Sequence, residues 1–138
     1  MFKIPETLKQ RMIAQSQREL PNEACGYLAG TEQVALEIIP MTNADASPEH
    51  FSFLPEEQFR AVKTARAKGL RLNAVYHSHP ASPARLSAED LRLANDPEVV
   101  YIIVSLAESE PAVKGFRVNA KTPVEVPLQF IEGVTTRT

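Results

Sequence analysis

Apolar residues recur at Leu8, Met12 and Ile13 and again at Leu20 among charged and polar neighbours, which predicts a one-faced helix over residues 5–20, closed by Pro21. Ala24 to Ala29 is small and apolar and stops at Gly30, and Val34 to Met41 is apolar again. The turn-like Gly30-Thr-Glu-Gln33 between them makes the two runs a hairpin. A polar loop follows from Asn43 to Glu49, and Phe51-Ser-Phe53 alternates like a short strand. Pro55 with Glu56 and Glu57 opens a second helix, because proline fits the first turn and acids suit the positive end of the helix dipole. Phe59, Val62 and Ala65 stripe that helix and Gly69 ends it.

Leu72 to Tyr76 reads as a buried strand running into His77-Ser-His79. Pro80 to Leu86 is a loop, Ser87 to Ala94 a short helix, and Val99 to Leu106 the most apolar strand of the chain. Val113–Val118 and Val124–Leu128 are weaker strands, and the tail from Glu132 to Thr138 is polar and loose. Helices alternating with strands, then a run of strands, predict an α/β sandwich around one mixed sheet. No linker divides the chain, so we expect one domain over residues 1–131 and a tail over 132–138.

Composition narrows the function classes. At 138 residues, 43% hydrophobic and 23% charged, the chain is globular and long enough for a real core. A formal net charge of -2 with no basic patch argues against nucleic acid. Cys25 is the only cysteine, which excludes an internal disulfide and fits a reducing compartment. The N-terminal 20 residues lack a signal-peptide core, and no apolar run approaches the ~20 residues of a membrane helix. The expected location is the cytoplasm.

The candidate chemistry lies in His77-Ser-His79 and the residues after it. Two histidines at i and i+2 of a strand face the same way, so their rings can converge on one ion. Asp90 can supply a third ligand from the first turn of the next helix, leaving one tetrahedral position open, as catalytic zinc sites do. Such a metal needs a nearby carboxylate to handle protons. Many acids could serve. Glu23 is the best placed, because it precedes a small, apolar strand able to lie against the metal strand.

Bland readings stand beside these. The two histidines could be satisfied core or surface residues, and Ser87-x-x-Asp90 is also a capping box. Cys25 could be a thiol nucleophile, though small buried cysteines are common packing residues. His50 reads as a surface residue, with a metal or substrate role as its alternative. The Pro80–Leu86 loop is either a connector or a wall of a substrate groove.

Glu23 in a Pro-x-Glu-x-Cys-Gly setting, then His77-x-His79-Pro, with seven residues between His79 and Ser87 and Asp90 three further, resembles the JAMM (MPN-domain) metalloprotease family over roughly Leu20 to Ile131. Asn43 and the Ser47-Pro48…Phe51 stretch also look like that family's loop ahead of its central helix. The resemblance implies a cytidine-deaminase-like layered fold and a Zn2+ ion on His77, His79 and Asp90. It makes Glu23 the general acid/base and Ser87 the donor to the oxyanion. It further implies cleavage of an amide bond after the Gly-Gly tail of a ubiquitin-like sulfur-carrier protein, to process the carrier or release an amino acid. A deubiquitinase-like isopeptidase, or a peptidoglycan- or phage-type peptidase, is the alternative enzyme. A non-catalytic MPN scaffold is the non-enzymatic one, although scaffolds typically lose the ligands and this chain keeps all of them. A zinc deaminase would need Pro-Cys-x-x-Cys, which a single cysteine excludes.

Overall fold

The computed structural model describes residues 1–132; the predicted tail, from Gly133 onward, lies outside the described residues. Eleven elements follow one another: β1 (Phe2–Pro5), α1 (Glu6–Arg18), β2 (Cys25–Thr31), β3 (Val34–Met41), α2 (Pro55–Ala67), β4 (Arg71–His79), α3 (Ala88–Leu93), β5 (Val100–Ser105), β6 (Ala112–Asn119), β7 (Thr122–Val126) and β8 (Leu128–Ile131). The eight strands form one sheet in the order β7-β6-β5-β4-β2-β3-β1-β8. Parallel pairs (β4 with β5, β1 with β3 and β8) mix with antiparallel ones, as the alternation of helices and strands predicts.

Period-2 alternation along the central strands sorts the side chains into two layers. Leu28 of β2, Ala74 and Tyr76 of β4, and Ile102 and Val104 of β5 face one side and pack with Leu8 and Met12 of α1. Cys25 and Tyr27 of β2 face the other and pack with Ala61 of α2, with Phe51, Phe53 and Val75 against them. His77 and His79 follow Val75 at two-residue steps, so they open onto this second side, where α2 and α3 leave the sheet incompletely covered. Gly26 is required by the layer beneath: a Cβ there would sit 2.3 Å from the Tyr76 hydroxyl. That hydroxyl donates to Gln15 Oε1, whose amide donates to the Cys25 carbonyl, tying α1 to the strands that carry the site.

Three expectations need correction. Phe51–Phe53 is not a strand; one isolated bridge joins Asn43 to Phe53, and the aromatic alternation serves packing, Phe53 against Tyr27 and Phe51 against His77. Val124–Leu128 is not one strand. Pro127 interrupts it, β7 pairs with β6, and β8 crosses to pair with β1. The first helix starts at Glu6 because Phe2–Pro5 is spent on β1. Among the described residues no helix is long and apolar enough to cross a membrane.

Candidate metal centre

β4 ends on His77 and His79, each 4% exposed, and α3 begins beside them with Asp90 in its first turn. The two Nε2 atoms lie 3.1 Å apart. Asp90 spans both rings, Oδ1 3.2 Å from His77 and Oδ2 3.1 Å from His79. Ligand atoms around a tetrahedral zinc with bonds of ~2.0–2.1 Å stand about 3.3–3.4 Å from one another, so this triangle of two imidazole nitrogens and a carboxylate fits the ion. The ring orientations are fixed from behind. His79 Nδ1 donates to the Pro83 carbonyl at 2.9 Å; a carbonyl only accepts, so Nδ1 carries a proton and Nε2 is the nitrogen turned to the centre. His77 stacks on Phe51, ring centroids 4.7 Å apart.

Charge follows this geometry. Burial opposes ionisation of Asp90, but hydrogen bonds from both histidines outweigh it and hold the carboxyl well below the usual carboxylate range. Burial depresses His77. Burial also works against a charged His79, yet Asp90 and the Pro83 carbonyl prevail and raise it. The capping reading of Ser87 and Asp90 is real as well: Ser87 Oγ accepts from the Asp90 N–H at 3.0 Å, and the Ser87 N–H donates to Asp90 Oδ2 at 2.9 Å. Capping uses the serine's lone pair and leaves its O–H proton free to donate elsewhere.

Glu23 reaches the centre from the segment just before β2, because antiparallel pairing sets Cys25, the first residue of β2, opposite His77. It is 4% exposed, and its Oε1 is buried without a hydrogen-bond partner. Burial pushes the carboxyl up to about 7, against the pull of His79. Glu23, His79 and Ser87 line one cleft of about 330 Å³, together with Pro48, Glu49 and Ser82. The Pro80–Leu86 loop is therefore a wall of this cleft and a support for His79, not a bare connector. The five predicted residues are thus brought together, three in contact and two on the cleft beside them.

Cys25 and His50 do not line that cleft. Cys25 is fully buried, its thiol 3.9 Å from the Met41 carbonyl, and burial pushes it up to about 12, so it stays a packing thiol and not a nucleophile. His50 is partly exposed and paired with Asp45.

Sequence reasoning missed Ser78, the residue between the two histidines. It is fully buried on the α1 side of the sheet. Its hydroxyl accepts the Ala24 N–H at 2.8 Å and its N–H donates to the Ala24 carbonyl at 2.9 Å. This clamp fixes the residue after Glu23 against the histidine strand; only a buried serine at an x position hinted at it. Asn43 does the same from the other side, donating to the Glu23 carbonyl at 3.1 Å. Ser78→Ala should strand a buried N–H and cost about 1–3 kcal/mol in urea unfolding, with zinc stoichiometry unchanged. Unchanged stability would show that the hydroxyl is not a clamp.

Comparison with known proteins gives the chain a family. Residues 5–119 match the family described as prokaryotic homologues of the JAB domain. The CysO-cysteine peptidase of Mycobacterium tuberculosis is 32% identical over 128 residues, 91% of this chain and 88% of its own. A probable TtuB-protein conjugate cleaving protease of Thermus thermophilus is 36% identical over 101 residues, 72% of this chain and 67% of its own. The solution structure of protein DSY2949 from Desulfitobacterium hafniense superposes with a TM-score of 0.90 at 41% identity, covering 97% of this chain and 95% of that one. By sequence match, fold and motif together, the chain belongs to the prokaryotic homologues of the JAB domain, the small JAMM/MPN hydrolases.

Proposed function

We propose that the chain is a cytoplasmic, zinc-dependent peptidase that cuts the amide bond after the Gly-Gly tail of a ubiquitin-like sulfur-carrier protein. The observation that carries this reading is Glu23: a buried carboxyl with an unpartnered oxygen, beside a triangle of metal-binding atoms, is costly to keep unless it moves protons. Zinc held by His77, His79 and Asp90 would supply Lewis-acid polarisation of the scissile carbonyl and acidify a water. Glu23 takes a proton from the attacking water and hands it to the leaving nitrogen. Ser87 donates its free O–H to the carbonyl oxygen as negative charge develops there. His79 and Asp90 stay in place through the Pro83 carbonyl and the α3 cap.

The substrate class draws on the relatives. One is named a CysO-cysteine peptidase, the other a probable TtuB-protein conjugate cleaving protease. A tail without side chains suits a cleft whose chemistry is recessed, since glycine can thread where other residues cannot. The test is to incubate the zinc-loaded protein with sulfur carriers bearing C-terminal extensions and to read the products by mass spectrometry. Cleavage after the second glycine is expected. Intact carriers in the presence of bound zinc would end the reading.

Ser87 offers a sharper check, because capping and donation separate. Ser87→Ala should lose about 1 kcal/mol of stability and roughly 10²–10³ in kcat. Ser87→Asp can still cap and should recover the stability but not the rate, read by thermal melts and steady-state kinetics side by side.

A further inference from the structure

The loop between β3 and α2 holds a charged pair that the chemistry above does not use. Asn43, 8% exposed, shapes this loop: it donates to the His50 carbonyl at 3.0 Å and accepts the Asp45 N–H at 3.0 Å. Asp45 is pinned in turn by the Ser52 hydroxyl at 2.8 Å. Its other oxygen accepts from His50 Nδ1 at 2.9 Å, which leaves Nε2 as the free end of the ring. The hydrogen bond to Asp45 raises the imidazole above its ordinary range and so favours the cation.

His50 borders a second cavity of about 60 Å³, whose lining adjoins that of the Glu23 cleft along the chain: Glu49 and Ser87 line the cleft, His50 and Leu86 the cavity. His77 and Asp90 form its inner wall, and Phe51, Leu86 and Leu93 make it apolar. One water needs about 10–15 Å³ by this measure, so the space takes a few heavy atoms, the size of a short side chain or a carboxylate. Glu89 also lies on its edge, but that carboxylate is engaged by Arg92 at 2.7 Å. A small, mostly apolar hole with a cation fixed at its rim and metal-binding side chains in its wall is built for a compact, negatively charged group.

We propose that this cavity receives the amino acid that leaves, and that His50 reads its free α-carboxylate. The inference rests on the peptidase reading of the same centre and names its preferred substrate: a carrier with one small residue attached as a free acid to the Gly-Gly tail. An isopeptide on a lysine presents no such carboxylate, because that lysine's own carboxyl lies in the main chain. His50 is then a specificity residue and Asp45 its positioning partner.

The test uses the zinc-loaded Glu23→Gln protein, so that binding is read without turnover. Two carriers are titrated calorimetrically, one ending Gly-Gly-Ala as a free acid and the other ending in the alaninamide. The acid should bind at least 10-fold tighter. Adding His50→Gln, or Asp45→Asn, should bring the ratio to within about twofold by weakening the acid alone. Equal affinity for the two tails, or a His50→Gln loss shared by both, overturns the proposal and leaves the peptidase reading intact. If neither tail binds, and the unmutated protein cuts no Gly-Gly carrier, both readings fall.

Discussion

Replacing Glu23 by glutamine is expected to lower kcat by at least about 10³-fold while the protein keeps its full complement of zinc. General acid–base catalysis is worth roughly 10²–10⁴-fold, and Glu23 is asked to act twice, on the water and on the leaving nitrogen. Glutamine preserves the volume of a side chain that is 4% exposed, so the cleft should keep its shape. It cannot take a proton at any pH. His77, His79 and Asp90 are untouched, so metal analysis should give the same stoichiometry for both proteins. A variant that loses zinc as well as activity would place Glu23 among the ligands.

The same substitution should stabilise the metal-free protein. Burial raises the Glu23 carboxyl to about 7 in the fold, so the protonated form is the one the fold accepts. That preference is fully present below the unfolded pKa of about 4.5 and is lost as the pH rises through about 7. Above pH 7 the native state therefore carries an unfavourable carboxylate that glutamine lacks. After discounting for screening by the open cleft, the gain at pH 8 is roughly 1–2 kcal/mol in urea unfolding, vanishing near pH 4. In the proposed reaction the carboxylate is the working form. The rate should then fall on the acid side as the pH drops through the range set by this carboxyl, near or below 7.

Not all of this could be read from the chain. His77, His79 and Asp90 were legible because strand period and a short loop put them within one local unit, β4–α3. Glu23 was not legible in that way. Its place depends on β2 pairing with β4 across more than 40 residues, and no local spacing encodes that register. The small, apolar strand after it made it the best-placed acid, and the motif resemblance then singled it out. The strands show the same division. β5 is apolar from Val100 to Val104, with every residue of that run but Tyr101 fully buried, and it reads directly. β1 has four residues and pairs with β8 from the far end of the sequence, so nothing near it announces a strand. Phe51 and Phe53 misled because alternation reports which way side chains point, not whether the backbone has a ladder partner.

Asp90 carries the second large effect, since one carboxylate serves the metal triangle and the cap of α3 together. Asp90→Asn keeps an oxygen that can still accept the Ser87 N–H. It also removes the anion and can turn an amide donor toward an imidazole nitrogen. Zinc affinity should fall by more than the 10–100-fold that outer partners of ligands are worth, and turnover should disappear at zinc levels that saturate the parent protein. Asp90→Ala should lose the metal equally and a further ~1 kcal/mol with the cap. Competition against a chromogenic chelator reads the affinity, and melts of the metal-free proteins read the cap. The pH dependence gives a third readout. Asp90 is held low and His79 is raised, so their mutual stabilisation in the metal-free protein spans the interval above the unfolded carboxyl range and below the unfolded imidazole range, about pH 4 to 6.5. Both Asp90 variants should therefore lose most relative to the parent near pH 5 and least near pH 8. Parent-like zinc affinity in Asp90→Asn would mean that the third ligand is some other group, and the site would have to be rebuilt around it.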